Sequence, residues 1–323
     1  MLFRSISIII PVYRGNPVYF NKTIESCLNQ TYDYVEVIII DNGCNDALQG
    51  TLSELNTKEN VTVVKNSKSG VCSGRNLGVK TAKGDYIMFL DADDWIESNA
   101  CEILLNHAVE AEADCVICNY SRDYSDHSEK MLHYIRDTMY KDWKDYLKDL
   151  LNVQAGVGFC WGKLIKASTI ENVLLNEELS LAEDAEYCAR ASQNWSVIVG
   201  DEHPLVHYIF NDQSAVRKFD TAYADKFLLS MKAVEEDLKD VMVEDKNIET
   251  LKEIIAAIRE KVDKFSYTFN QESDIELYKK EILAMFERLK SEGKLNKDIN
   301  VIIEEDLKTL DDIYRERLDS LRE

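Results

Sequence analysis

Val35-Glu36-Val37-Ile38-Ile39-Ile40-Asp41-Asn42-Gly43-Cys44-Asn45-Asp46 is the stretch that decides the fold. Its first six residues form a near-continuous apolar run, of the kind buried on both faces of a parallel sheet. The same alternation continues on either side. Residues 5–10 (Ser-Ile-Ser-Ile-Ile-Ile) read as a strand stopped by Pro11. Residues 21–30 read as a helix with Ile24, Cys27 and Leu28 on one face. Downstream come a helix at 46–55 capped by Asp46, a strand at 61–64, a helix at 73–82, a strand at 86–90, a helix at 98–111 and a strand at 115–119. Strands and helices in this order predict an α/β domain with a mainly parallel sheet flanked by helices.

The composition shifts near residue 220. All three prolines, all four tryptophans and all eight cysteines precede it. Beyond it, residues 222–243, 248–265, 275–290 and 299–321 carry apolar residues at steps of three and four, with Leu251, Ile254, Ile255 and Ile258 as one stripe. We therefore expect a catalytic domain at 1–220 and an all-helical region at 221–323. The latter would be a bundle with solvated outer faces, open to self-association or to a partner protein.

The formal net charge of −21 argues against nucleic acid, because binding phosphates needs a basic face. An acidic chain can still hold a diphosphate when a divalent cation stands between the two. No apolar run is long enough to span a bilayer, and the first residues lack the features of a signal peptide. The expected location is cytoplasmic, peripheral at the inner face of the membrane where an acceptor demands it. The cysteines are accordingly expected to be free. Cys115-x-x-Cys118 has no second pair at zinc-ligand spacing, so these two are expected to be small core residues.

In an open α/β sheet, ligands bind at the carboxyl ends of the strands. The segments leaving those ends are Pro11-Val12-Tyr13, Asp41 to Asp46, and Asp91-Ala92-Asp93-Asp94. The last is a D-x-D-D cluster. A strand alternates its side chains, so Asp91 and Asp93 are expected to leave it on a common side. Two carboxylates so close repel each other, and a hard divalent ion such as Mn²⁺ or Mg²⁺ removes that cost while keeping positions open for substrate phosphates. The glycines at 70, 74 and 78 fit neither dinucleotide nor P-loop spacing.

Ser7 to Tyr13, Gln30-Thr-Tyr32, Glu36 to Asp46, Ser73-Gly-Arg-Asn-Leu-Gly78 and Gly84 to Asp94 together resemble the ordered motifs of family-2 inverting glycosyltransferases, which have the A-type, Rossmann-like nucleotide-sugar-binding fold. Trp161-Gly-Lys163 and Glu183-Asp184 are similar to that family's later motifs. The resemblance covers about residues 5 to 215. It implies a metal-dependent enzyme of hexosyltransferase type. That enzyme would move a sugar from a nucleotide-sugar donor, expected to be a UDP-sugar, to a hydroxyl of a glycan or lipid-linked acceptor in cell-surface polysaccharide synthesis.

The resemblance also assigns roles. Pro11, Val12 and Tyr13 match the segment around the nucleobase and ribose, and Asp41 the acidic residue on the uracil ring. Arg75 matches an arginine reaching toward the nucleotide, and Asp91, with Ala92, the segment near the ribose. Asp93 matches the metal ligand and Asp184 the catalytic base. Glu183 falls where an acceptor would sit; Trp161 either stacks on an acceptor sugar ring or is buried packing, since one aromatic carries no spacing signal. Such a transfer is one in-line displacement at the anomeric carbon. It needs a base for the acceptor hydroxyl and positive charge on the departing diphosphate.

The chain departs from the family pattern in places. Asn42 and Cys44 stand where Asp and Ser are frequent. Ile209 and Asn211 stand where an arginine and a metal-binding histidine are frequent. Asn211 can still offer a carbonyl oxygen to the metal. These departures leave a second reading: a catalytically silent nucleotide-sugar-binding partner acting through its helical tail. A nucleotidyltransferase would need a basic glycine-rich loop after the first strand, and Tyr13-Arg-Gly-Asn16 is too slight for one.

Overall fold

A computed structural model describes residues 4–210 except 133, 135–137, 141 and 152–156, together with 226, 229, 230, 233 and 234. The chain divides into two compact units, residues 1–150 with 155–211 and residues 151–154 with 212–323, and the fold described is that of the first. The helical region expected at 221–323 lies outside the described residues apart from the five isolated positions, all of them helical. Asn211 lies outside them too.

The described fold runs β1 (Ile6–Val12), α1 (Pro17–Leu28), β2 (Val35–Asp41), α2 (Asp46–Leu55), β3 (Val61–Lys65), α3 (Val71–Thr81), β4 (Tyr86–Phe89), β5 (Trp95–Ile96) and α4 (Ala100–Glu110). It continues with β6 (Cys115–Asp123), β7 (Ser128–Met131), β8 (Thr138–Tyr140), α5 (Trp143–Leu151), β9 (Lys163–Lys166), α6 (Glu183–Ser192) and β10 (Ile198–Ile209). Eight strands follow the order β3-β2-β1-β4-β9-β6-β10-β5, with β7 paired to β6 and β8 to β10.

The first four strands in that order are parallel, as the apolar run of β2 requires. Beyond β4 the pairing alternates. Strand β9 runs antiparallel to both β4 and β6, whereas β6 and β10 are parallel. Ile8, Ile10, Val37 and Ile39 join α1, α2 and α4 in one buried layer. Ile9 faces the opposite side, against α3.

Several element ends differ from expectation for local reasons. Strand β1 passes through Pro11. The bond from Leu90 N–H to the Ile9 carbonyl shows which residues face β4, and by alternation Pro11 faces that side too, just where β4 has ended. Its missing N–H therefore removes no ladder bond. Helix α1 starts at Pro17 because Asn16 caps it, its side chain accepting from Val18 N–H at 2.9 Å, and because proline suits the first helical position. In α2 the cap position belongs to Asn45; Asp46 is the first helical residue rather than the cap.

Helix α3 lies close on the sheet because Gly78 has no side chain. A Cβ there would stand 2.2 Å from Ile9 Cγ2. At the far edge, Asp123 ends β6 and accepts from Ser128 Oγ at 2.7 Å, Trp95 Nε1 at 3.0 Å and His207 Nδ1 at 3.2 Å. Burial pushes its pKa up, but the bonds from Ser128, His207 and Trp95 outweigh that and hold it below the usual carboxylate value. All eight cysteines are free, and Cys115 and Cys118 are buried as small core residues.

Two outcomes follow for stability. Gly78→Ala should cost about 1–3 kcal/mol by overpacking. Ile9→Ala in the same chain should recover part of that loss, so that denaturation of the double variant shows less than the summed effect. Asp123→Asn should destabilise at pH 7 by about 1–3 kcal/mol. The folded pKa is depressed, so the carboxylate's contribution is present above the unfolded value of about 3.9 and lost as pH falls below it. Denaturation of wild type and variant should therefore converge in acid; a gap that stays constant with pH would refute the assignment.

Candidate active site

The strand order β3-β2-β1-β4 reverses its direction of winding between β1 and β4. In doubly wound sheets such a reversal opens a crevice at the strand ends. The three segments singled out from the sequence leave β1, β2 and β4 there.

After β1, Pro11 and Val12 are buried and Tyr13 is 58% exposed, so Tyr13 is the part of that segment with surface to offer a ligand. After β2, Asp41 Oδ1 accepts the N–H groups of Gly43 at 3.0 Å and Cys44 at 2.7 Å. Burial raises its pKa, but these bonds bring it below the ordinary value. Because the donors are backbone groups, the turn tolerates Cys44 in place of a serine. The Cys44 thiol itself donates to the Val12 carbonyl at 3.5 Å. Asn42 is buried and accepts from Asn66 Nδ2 at 2.7 Å. Gly74 of α3 lies directly against Asn42: a Cβ would come within 2.4 Å of its amide.

After β4, the chain does not continue as a strand. β4 ends at Phe89, and residues 91–94 fold into a turn closed by Asp94 N–H to the Asp91 carbonyl at 3.2 Å. The common direction expected of Asp91 and Asp93 from strand alternation thus does not apply. The Ala92 carbonyl is held by Thr23 Oγ1 of α1 at 3.0 Å. Asp94 is buried and anchors the turn to β10, its Oδ1 accepting Ile209 N–H at 2.8 Å while Oδ2 has no partner among the described residues. Its burial, with Asp91 and Asp93 beside it, raises its pKa well above normal.

Asp93 is exposed and bonds to no other residue among those described. The protein around its carboxylate still excludes enough water, with Asp91 adding like charge, to raise its pKa to about 6. Among the described residues no three His, Cys, Asp or Glu side chains converge to hold a metal by themselves. An unpaired carboxylate beside a second one nevertheless suits a hard divalent ion that takes one or two protein oxygens and completes its shell with phosphate oxygens and water.

Arg75 of α3 links this turn to the other side of the crevice. Its guanidinium is buried; Nη2 donates to Asp91 Oδ1 at 2.9 Å, and Nη1 to Glu183 Oε1 at 3.3 Å and to Asp184 Oδ1. Nε has no partner among the described residues. The expectation that Arg75 reaches toward a nucleotide must therefore accommodate a guanidinium already bonded to three carboxylates. Burial lowers its basicity, but Asp184 and Asp91 more than restore it. Burial and the Asp184 charge raise the pKa of Glu183.

Glu183 and Asp184 open α6, where a helix N-terminus favours negative charge. The residue before them, Ala182, has φ of +53°, an uncommon conformation for alanine that sets the entry of this turn. Asp184 Oδ2 accepts the N–H of Cys160 at 3.1 Å. The base expected from the sequence is thus fixed through both oxygens. Spacing alone could not have revealed the Cys160 bond, because any residue can supply a backbone N–H.

Trp161 is 5% exposed, which is the buried-packing alternative of the two that the sequence left open. It bridges to Phe89 and is enclosed by Phe159, Tyr208 and Tyr120. The exposed ring of that group is Phe159, a residue the sequence reading passed over because an isolated phenylalanine has no spacing signal.

Comparison with known proteins identifies the family and the fold. Residues 7–174 match Glycosyl transferase family 2. The chain is 33% identical over 221 residues to the putative glycosyltransferase EpsH of Bacillus subtilis (strain 168), covering 67% of this chain and 63% of that protein. It is 33% identical over 120 residues to the UDP-Glc:alpha-D-GlcNAc-diphosphoundecaprenol beta-1,3-glucosyltransferase WfaP of Escherichia coli, covering 37% of this chain and 46% of that protein. The chain therefore spans less than two thirds of the length of these curated relatives. Residues 1–349 of S. aureus TarS, crystallised with UDP, share the fold at a TM-score of 0.63 and 16% identity, covering 84% of this chain and 78% of that one. With a family match over more than half of its length and a shared fold, this chain belongs to glycosyl transferase family 2.

Proposed function

We propose that this glycosyltransferase transfers a sugar, with inversion, from a UDP-sugar to a hydroxyl of a glycan or lipid-linked acceptor in cell-surface polysaccharide synthesis. The observation that carries the proposal is the single guanidinium of Arg75 bonded to both Asp91 and Asp184. It holds the donor-side carboxylate turn through Nη2 and the candidate base through Nη1, so both groups border one buried cation. A displacement at the anomeric carbon needs the base and the donor-side groups within reach of one sugar ring, as this shared cation allows.

Each residue has a part in this reading. Tyr13 and Asp41 border the uridine, and Asp91 the ribose. Asp184, oriented by Arg75 and Cys160 N–H, takes the proton of the acceptor hydroxyl. Asp93 would hold Mn²⁺ or Mg²⁺, and Asn211, outside the described residues, is the further oxygen ligand expected from the sequence. When bound, the ion supplies positive charge to the leaving diphosphate. That charge is required on electrostatic grounds. One guanidinium faces Asp91, Glu183 and Asp184, Asp93 stands beside them, and the chain carries −21 overall, so a bare diphosphate would be repelled.

The named relatives lend support: WfaP is described as using UDP-Glc on a diphosphoundecaprenol-linked sugar, and TarS was crystallised with UDP. Among the described residues no helix is long and apolar enough to cross a membrane. A cytoplasmic site of action, at the inner face of the membrane for a lipid-linked acceptor, belongs to the same proposal. So does self-association or partner binding through 221–323.

The test pairs calorimetry of UDP with and without Mn²⁺ with a turnover assay across nucleotide-sugars, using NMR to read the anomeric configuration of the product. Asp93→Ala should abolish both transfer and donor hydrolysis and remove the Mn²⁺-dependent part of UDP binding. Asp184→Asn should lower transfer by roughly 10²–10⁴-fold and leave UDP binding intact. Full transfer by Asp93→Ala would overturn the metal assignment. UDP binding without any turnover would point instead to a silent nucleotide-sugar-binding subunit.

A further inference from the structure

Phe159, Trp161 and Tyr208 form a nearly parallel stack, with ring centroids 4.6 Å apart at 16° for the first pair and 5.9 Å at 10° for the second. Tyr120 meets Phe159 and Trp161 edge-on, at 6.5 Å and 5.0 Å. Trp161 is 5% exposed, whereas Phe159 is 40% exposed. One face of Phe159 is therefore covered by Trp161 and Tyr120 lies against the ring, while 40% of the residue stays exposed.

A single exposed ring is ordinary on a protein surface. What distinguishes Phe159 is how its segment is held. Its carbonyl accepts from the buried Lys163 ammonium and from the Cys188 thiol of α6, the latter at 3.6 Å. The next N–H, that of Cys160, donates to Asp184 Oδ2 at 3.1 Å. The ring and the candidate base are thus tied to one anchored stretch of backbone. A ring held rigid by stacking loses little conformational entropy when it binds a ligand.

We propose that the exposed part of the Phe159 ring is an acceptor subsite for a neutral pyranose ring, which lays its apolar C–H face on the phenyl group and presents a hydroxyl at its edge to Asp184. This rests on the proposed function for the role of Asp184. The ligand chemistry follows from the surroundings. A sugar ring has one apolar face and a polar rim, matching a phenyl group beside a carboxylate. An anionic acceptor group would instead meet the charges of Asp184 and Glu183.

The test uses the full chain and three probes: methyl β-D-glucopyranoside, methyl β-D-galactopyranoside and methyl N-acetyl-β-D-glucosaminide. Each is titrated by saturation-transfer NMR, first alone and then with UDP and Mn²⁺ present. At least one should receive saturation at the ring protons of a single face. Phe159→Ala should weaken that probe roughly fivefold or more, and Phe159→Tyr should keep it within about twofold. Both variants should retain the wild-type thermal midpoint and UDP affinity. An unchanged signal in Phe159→Ala, or no signal from any probe, would overturn the subsite. If UDP does not bind, the donor reading fails separately, because the titrations without UDP still judge Phe159 on their own.

Discussion

The site depends on one buried cation. A guanidinium taken out of water costs several kcal/mol unless it is surrounded by bonded anions, and Arg75 meets Asp91, Glu183 and Asp184 at once. The debt is mutual. Removing Arg75 would leave a cluster of carboxylates with nothing to offset their repulsion, and removing Asp184 would leave part of the guanidinium unmatched. Because α3 carries the arginine and α6 two of its partners, this cluster also joins helices from distant parts of the chain.

The sheet makes that meeting possible. Reversal of winding between β1 and β4 leaves the ends of both strands free of covering helices, and the turn at 91–94 fills one side of the opening. Two glycines then allow α3 to lie close enough for Arg75 to reach. Gly78 rests on Ile9, and Gly74 on the amide of Asn42. Asp94 contributes differently from its neighbour Asp93. It is consumed in tying the turn to β10, whereas Asp93 is left exposed and without a protein partner among the described residues. Two adjacent aspartates thus differ in burial and bonding, one tied into the fold and the other exposed.

The aromatic layer beside α6 shows the same division. Trp161 has the larger ring, yet packing between Phe159 and Tyr208 makes it part of the core. The smaller ring is the one left at the surface. Residue type and spacing carry no record of which member of a stack ends up outermost.

The sequence by itself determined the alternation of strands and helices through β6 apart from the two-residue β5, the buried parallel core around Val35 to Ile40, the free cysteines and the positions of the loops that leave the carboxyl ends of β1, β2 and β4. These are legible because they rest on local periodicity and on turn chemistry within a few residues. It misjudged what depends on neighbours. Pro11 does not end β1, since β4 stops before the missing N–H would matter, and Asp91 to Asp94 turn rather than extend. Only the tertiary structure decided the antiparallel insertion of β9, the partners of Arg75, the bond from Cys160 N–H to Asp184 and the exposure of Phe159. Each of these joins groups far apart in the chain through a backbone donor, a buried charge or a packed ring, and such pairings are set by the path of the whole fold rather than by any pattern along the sequence.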